Sequence, residues 1–180
     1  MAQFKAFASG VEVNGETVLS VVDGMGTFKA SALRILAEHN IPNPQPGKWC
    51  PQQAWLDAFK EIAGKMGDTT LLAIGRKIPE NAKWPPEIDA LEKALASIDV
   101  AYHMNHRGGE IGYYQFEKTG DKSGKMICNN PYPCDFDRGI VDAVARKFKP
   151  QDVALVNVKH DDSQPCRKKG ADSCTYLITW

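Results

Sequence analysis

The chain has 180 residues, of which 43% are apolar, and its 22 basic residues are balanced by 22 acidic ones. This length is enough for a single domain, residues 1–180, with its own hydrophobic core. Balanced charge gives no overall field that would favour nucleic acid or an anionic membrane as a partner. The sequence contains no run of about 18 apolar residues that would span a membrane, and its start lacks the apolar core of a secretory signal. We therefore expect a cytoplasmic protein.

A hairpin followed by helices is predicted for the first half of the chain. Residues 11–13 and 17–22 are β-like and flank Asn14-Gly15, a dipeptide that favours a tight turn. Apolar residues at helical spacing then predict four helices: over 27–39, from Pro51, over 69–78 with an end before Pro79, and from Pro86.

The second half of the chain is predicted to combine strands with one helix. Two β-like stretches, 100–105 and 111–117, are joined by a Gly108-Gly109 turn. The remaining elements are strands at 125–129, 153–159 and 174–180 and a helix that opens at Cys134-Asp135. This order predicts an α+β fold, in which a helical layer packs on an antiparallel β-sheet.

The cysteines and a histidine near the end of the chain form the best candidate site. Five cysteines without a secretory signal indicate a reducing compartment, where clustered thiols more often bind metal than form disulfides. Cys166 and Cys174 lie in a polar loop between two predicted strands. If these strands pair antiparallel, His160 and Cys174 lie at the same end of the ladder. Thiolates and imidazole are the ligands that zinc prefers.

A further ligand is expected from outside this loop. Cys134 lies at a predicted helix start, where the helix dipole favours the thiolate that a metal needs. Cys128 is the competing thiol, and Asp161 or Asp162 could hold His160 or serve in its place. Four protein ligands would leave no open position for catalysis, so the predicted zinc is structural.

Two segments of the second half carry a resemblance to a known family. They are NPYPCDFDRGIVDAVARKF and, after a strand, HDDSQPCRKKGADSCTYLITW. They resemble the C-terminal half of the 4-vinyl-reductase-type small-molecule-binding domain. The related superfamily also holds haem nitric-oxide-sensing domains and small subunits of Golgi vesicle-tethering complexes. The resemblance covers about the last 55 residues, and the N-terminal half agrees only in the order of its elements.

The resemblance implies both a fold and a function. The fold is a helical layer against an antiparallel sheet, often in a homodimer, with a buried pocket for a hydrophobic or aromatic effector. Some members hold a structural zinc, which would fall here on Cys134, Cys166 and Cys174. Some aromatic sensors have a glutamate where this chain has Ser163, so His160, Asp162 and Cys128 remain candidates for the fourth ligand, with His160 preferred.

Ligand contacts are predicted in the region 102–115. This region offers His103, His106 and Tyr114 near the expected junction of sheet and helix. By analogy with the aromatic sensors, a histidine and a tryptophan would orient a phenol-like hydroxyl, and His103 and Trp84 are the predicted pair.

Alternative functions stay open at this stage. Haem could bind through His103 or His106, which would make the chain a gas or redox sensor, although no tyrosine-serine-arginine motif for haem is present. An assembly subunit would instead present a large apolar interface and no internal cavity. The sequence contains no nucleophile-elbow, P-loop or dinucleotide-binding fingerprint, so a role other than catalysis is favoured.

Overall fold

A computed structural model of the chain describes residues 3–180. The helices are α1 Gly15–Asp23, α2 Lys29–Glu38, α3 Gln52–Met66, α4 Asp68–Asn81, α5 Leu91–Met104 and α6 Cys134–Lys147. The strands are β1 Glu12–Asn14, β2 Trp49–Pro51, β3 His106–Arg107, β4 Tyr113–Gly120, β5 Ser123–Asn129, β6 Asn157–His160 and β7 Cys174–Thr179. No helix among these residues is long and apolar enough to cross a membrane.

The strands form two antiparallel sheets. A small sheet has the order β2-β1-β3, and a larger one has the order β4-β5-β7-β6. In the larger sheet His160 pairs with Tyr176, and Cys128 pairs with Cys174. Helices α5 and α6 both pack against this sheet and each other. The predicted α+β class, with helices on an antiparallel sheet in one domain, is confirmed.

The predicted hairpin around Asn14-Gly15 is wrong. Asn14 instead precedes α1, and its side-chain oxygen accepts a hydrogen bond from the backbone N–H of Glu16 at 3.1 Å. Asparagine is as effective a helix cap as it is a turn residue. The apolar residues Val18, Val21 and Val22 follow at helical spacing and are buried, so packing decides in favour of the helix.

The predicted strand over residues 100–105 is also wrong. Helix α5 continues through it to Met104, because Leu95, Ile98 and Tyr102 recur at helical spacing and bury one face. Helix α4 likewise passes the predicted stop and includes Pro79 in its last turns. The helix that opens at Cys134 and the strand pair β6–β7 agree with the prediction.

Helices α4 and α6 cross with their backbones in contact. The crossing point is formed by Gly75 and Gly139, whose Cα atoms face each other. A Cβ atom at Gly75 would overlap the carbonyl oxygen of Phe136, and one at Gly139 would overlap that of Leu72. Only glycine allows this close approach. It positions α4 over the helix that carries Cys134.

Candidate metal centre and buried cavity

Four side chains from four segments converge at one end of the larger sheet. Cys134 is the first residue of α6, His160 is the last of β6, and Cys174 is the first of β7. Cys166 lies in the loop between these two strands. One ligand atom from each of the four lies within 4.8 Å of the other three. The convergence predicted for these residues is therefore present in the structure.

Two of the three sulfur–sulfur separations have the dimensions of a tetrahedral metal site. Sγ of Cys166 lies 3.8 Å from Sγ of Cys134 and 3.9 Å from Sγ of Cys174. A tetrahedron with zinc–sulfur bonds of about 2.3 Å has edges of about 3.8 Å. The third separation, between Cys134 and Cys174, is 2.9 Å, which is shorter than the edge of such a tetrahedron.

His160 is oriented toward the three thiols. Its Nδ1 lies 3.0 Å from Oδ1 of Asp162. Its Nε2 is buried and has no hydrogen-bond partner among residues 3–180. A carboxylate on one ring nitrogen commonly holds the other toward a metal. Asp162 thus orients His160 rather than competing with it for the fourth ligand position. Cys128, the other candidate, lies on β5 outside the group of four.

The electrostatics of the cluster favour a thiolate. The hydrogen bond from Cys134 lowers the pKa of the Cys174 thiol, and the nearby positive charge of Arg167 lowers it further. Arg167 donates to this sulfur from its backbone nitrogen at 3.4 Å and from Nε at 3.5 Å. A deprotonated sulfur is the form that binds metal.

A buried network connects the cluster to the rest of the interior. The guanidinium of Arg167 is fully buried and donates to Oδ2 of Asp137 at 2.5 Å. Tyr114 donates to the other oxygen of Asp137 at 2.6 Å, and Asn130 donates to Oδ2 at 3.0 Å. Every polar group of this ion pair has a partner, as a buried pair requires. No motif singles out Arg167 or Asp137 in the sequence, since charged residues in a loop and in a helix are usually exposed.

A cavity of about 140 Å³ lies between the helices and the larger sheet. Within the described chain its walls contain no Lys, Arg, Asp or Glu side chain. The lining comes from α1, α3, α4, α5, β4, α6 and the segments that join them. The large side chains in the wall are Trp55, Ile78, Trp84, Ile98, Tyr102, His106, Tyr114, Tyr132, Phe136 and Ile140.

Three of the four predicted ligand contacts line this cavity, and one does not. Trp84, His106 and Tyr114 lie in its wall. His103 is half-exposed and its Nδ1 contacts the backbone oxygen of Asp99 at 3.0 Å. It was misplaced because the strand expected there is helix α5, which turns His103 away from the wall. The predicted pairing with Trp84 also fails, since that indole N–H donates to the oxygen of Pro79 at 3.0 Å.

The neutral form of His106 is held by two buried hydrogen bonds. Nδ1 lies 2.8 Å from the backbone oxygen of Tyr102, which can only accept, so Nδ1 carries the proton. Nε2 therefore accepts from the hydroxyl of Tyr132 at 2.7 Å. Burial lowers the pKa of His106 to about 4, so the imidazole is neutral at pH 7.

Gln52 and Trp55 of α3 were not predicted as site residues, and of the two Trp55 lies in the cavity wall. Gln52 and Trp55 are both fully buried. Both polar atoms of the Gln52 side chain, and Nε1 of Trp55, lack hydrogen-bond partners within residues 3–180. The sequence indicated only that Trp55 belongs to the apolar stripe of its helix. A glutamine beside such a stripe carries no motif that would have identified it.

Comparisons with known proteins identify the fold. No family model and no curated protein matches the chain. Among solved structures, an H-NOX protein from S. oneidensis in an Fe(II) ligation state matches with a TM-score of 0.66 at 14% identity, over 92% of this chain and 95% of that one. An oxygen-binding H-NOX domain related to soluble guanylate cyclases matches with a TM-score of 0.66 at 15% identity, over 92% and 94%. A structure from work on haem redox potential and porphyrin distortion matches with a TM-score of 0.66 at 14% identity, over 93% and 99%.

The chain has the H-NOX fold. The relation to haem nitric-oxide-sensing domains that the resemblance implied is confirmed at this level. The more specific 4-vinyl-reductase label is confirmed by none of these comparisons. At 13–15% identity the likeness to H-NOX structures shows the architecture. It does not identify a ligand for this chain.

Proposed function

We propose that this chain is a small-molecule-sensing domain of the H-NOX fold. The buried cavity is its sensing site, and the cluster of Cys134, His160, Cys166 and Cys174 is a structural zinc site. The observation that carries the proposal is the apolar cavity that lies between the helices and the larger sheet. Such cavities at element junctions are the usual small-molecule sites of proteins. The cavity also favours a sensor over an assembly subunit, for which a fully packed interior is expected.

The size and lining of the cavity define the class of ligand. Its volume of about 140 Å³ is close to the ~150 Å³ of an engineered cavity that binds benzene. The wall offers aromatic and aliphatic surface, a neutral His106 and no ionised side chain among the described residues. An uncharged, hydrophobic molecule of about one ring is therefore the favoured occupant, because a charged one would lose its hydration without gaining a partner.

Zinc in the cluster would stabilise the loop between β6 and β7. The four residues supply three sulfurs and one imidazole nitrogen, which is a common ligand set for structural zinc. The metal would connect Cys166, in the middle of that loop, to the start of α6, to the end of β6 and to the start of β7. A predicted homodimer and cytoplasmic location stay predictions for this chain.

Binding of a one-ring probe tests the sensing site. Purified protein should bind benzene or toluene saturably, followed by the fluorescence of Trp55 and Trp84 in the cavity wall. Val144→Phe would fill part of the cavity and weaken binding at least about tenfold, since overpacked sites lose space that the ligand needs. Val100→Phe, on the exposed face of α5, is the matched control and should bind as the wild type does. Absence of saturable binding, or equal binding by Val144→Phe, would contradict the proposal.

Haem is the second candidate, and the fold comparison favours it. The solved neighbours include a protein in an Fe(II) ligation state, a domain in complex with oxygen and a structure from work on haem redox potential. His106 supplies a neutral buried imidazole at the cavity, which is the form that binds a metal. Haem would make the chain a gas or redox sensor.

The residues around the cavity do not fit haem in three respects. The cavity is well below the ~300–1,000 Å³ of typical drug-sized ligand sites, and haem is larger than such ligands. The wall has no basic side chain in the described chain to pair with the haem propionates. The lone pair of His106 Nε2 already accepts a hydrogen bond from Tyr132. We therefore place haem second.

Absorbance after incubation with haem separates the two candidates. We expect no stoichiometric Soret band. A band at one equivalent that is lost in His106→Gln and retained in His103→Gln would instead make haem the ligand. The His103 variant is the matched control, since this residue lies three positions earlier, in the last turn of α5 and outside the cavity.

A further inference from the structure

We propose that Gln3 is an outer-sphere residue of the metal site, through which bound zinc holds residues 3–9 on the domain. The inference rests on the proposed zinc site and names a further residue that supports it. Nε2 of Gln3 donates to Sγ of Cys134 at 2.8 Å. The two residues are 131 positions apart in the chain, so only the fold brings this amide to the cluster.

Bound metal would strengthen this hydrogen bond. A thiol that coordinates a metal is deprotonated, and its sulfur then only accepts hydrogen bonds. A neutral thiol is a weak acceptor, whereas hydrogen bonds to ionised groups are roughly twice as strong as those between neutral groups. Zinc on Cys134 should therefore tighten the contact with Gln3. By linkage, a Gln3 side chain held in place should raise the affinity for zinc by the same factor.

The segment that contains Gln3 connects the metal site to helix α3. The backbone N–H of Phe4 donates to the oxygen of Pro131, just before α6, at 2.7 Å. The ring of Phe4 packs edge-on against Phe59 of α3, with the ring centroids 6.1 Å apart. Gln53, also on α3, accepts from the backbone N–H of Ala6 at 2.9 Å and donates to the oxygen of Phe4 at 3.1 Å. The segment is thus held by the start of α6 on one side and by α3 on the other.

The conformation of the segment depends on a few anchoring contacts. The backbone of Phe4 lies in the left-handed region at a φ of 63°, which bulky residues rarely adopt. Such a conformation persists only while the surrounding contacts impose it. Two surface grooves of about 490 and 500 Å³ are both lined by Lys5, Ala6 and Phe7, so this part of the segment is only partly packed. We therefore expect the segment to detach when the contact at Gln3 is weakened.

The zinc affinities of three single variants test the linkage on the intact chain, by titration against a competing chelator. Gln3→Ala should bind zinc about tenfold more weakly, as is typical when an outer-sphere partner is lost. Gln53 lies on α3 outside the group of four ligands. Gln53→Ala should nevertheless weaken zinc binding by about two- to threefold, because it loosens the far end of the segment. Lys5→Ala, at an exposed position between the two anchors, is the control and should bind as the wild type does.

Trypsin cleavage after Lys5 gives a second readout. The protease cuts the detached form of the segment, so the rate follows the population of that form. Wild type stripped of zinc should be cleaved there at least about fivefold faster than the zinc-loaded chain. Zinc-loaded Gln3→Ala should be cleaved at nearly the rate of the zinc-free wild type. Cleavage after Lys29, which is exposed at the start of α2, reports general unfolding and should change little with zinc.

The outcomes separate this inference from the metal site on which it rests. Equal zinc affinity of Gln3→Ala and the wild type would overturn the outer-sphere role. Unchanged affinity in Gln53→Ala, or a cleavage rate after Lys5 that is independent of zinc, would overturn the linkage. In each of these cases the wild type still binds zinc, so the proposed metal site stands. If the wild type binds no zinc, the metal site fails and the role of Gln3 fails with it.

Discussion

The metal cluster and the cavity both contain buried polar atoms without partners, yet only the cluster could be found from the sequence. In the cluster the unpaired atom is Nε2 of His160, and its neighbours are three thiols. In the cavity wall the unpaired atom is Nε1 of Trp55, and the other residues of the wall are mostly aromatic and aliphatic. Cysteine and histidine are typical metal ligands, so a group of them predicts a metal site. Glutamine, tryptophan and tyrosine, in contrast, are common at any helix–sheet interface and predict no particular site. The proposed binding site for an uncharged molecule therefore consists of residue types that are common in any hydrophobic core.

Loss of a cluster thiol should have the largest effect on stability. It tests whether the end of the sheet that carries the cluster depends on a bound metal. Structural zinc binds small peptides with apparent free energies of about 10–16 kcal/mol, so Cys174→Ser should reduce bound zinc from about one equivalent to less than about a tenth. Thermal unfolding should move to lower temperature, since the metal stabilises only the folded chain. Zinc content is measured after purification without chelator. Cys50→Ser, a buried thiol outside the cluster, should retain the metal, and zinc loss in both variants would refute the site.

The buried ion pair that links the two regions should give the next largest effect. Asp137→Asn would leave the fully buried Arg167 without its counter-charge and should lower the free energy of unfolding by about 3–5 kcal/mol. Asp142→Asn on the same helix is the matched control. Its partners Arg76 and Arg146 are exposed enough to be hydrated, so its loss should cost about 1 kcal/mol or less. Urea unfolding measures both, and equal costs would argue against a special role for the Arg167 network.

The cavity end should respond to pH through His106. Burial lowers the pKa of His106 to about 4 from an ordinary value of about 6.5. The unfolded chain therefore binds a proton that the folded chain does not, and this group's stabilisation is complete above pH 6.5 and lost as pH falls toward 4. The full difference is about 3 kcal/mol. Urea unfolding at pH 7 and pH 4.5 should show a smaller acid-dependent loss in His106→Gln than in the wild type. Metal release in acid affects both proteins alike, so an identical loss in the two would contradict the assignment.

The smallest predicted effect concerns the carboxylate that orients His160. Asp162 is exposed, so Asp162→Asn should leave stability nearly unchanged and weaken zinc binding by about tenfold. Competition with a chromophoric chelator measures the affinity. Asp172→Asn in the same loop is the control, because this exposed side chain lies outside the cluster. Equal affinities of the two variants would show that His160 needs no such support.

The predictability of each region follows from where its residues lie. Cys134, Cys174 and His160 lie at the ends of α6, β7 and β6, which were recognisable from a helix start and from β-rich runs. The register of β6 on β7 then brings His160 and Cys174 to the same end, as expected. The same reasoning does not predict that Arg167 is buried. Its burial depends on the ion pair with Asp137, which comes from another part of the chain.

The cavity was harder to predict because two elements around it were assigned the wrong type. Asn14-Gly15 favours a turn and a helix cap equally, and only the burial of the valines in α1 decides between them. In α5 a β-like composition at residues 100–105 was overridden by an apolar face shared with the preceding turns. A helix there places His106 in the wall and His103 outside it. Tertiary packing thus determined which histidine belongs to the site.

The glycine crossing of α4 and α6 sets how far apart two walls of the cavity lie. Ile78 and Pro79 on α4 line the cavity, as do Phe136, Ile140 and Val144 on α6. Their separation is determined by backbone atoms at Gly75 and Gly139, which cannot adjust as rotamers can. A methyl group at either glycine would push α4 and α6 apart. Substitutions of lining residues would instead change the shape of the cavity without moving the two helices. For the proposed ligand, the upper size limit would therefore be set by two residues that lie outside the cavity wall.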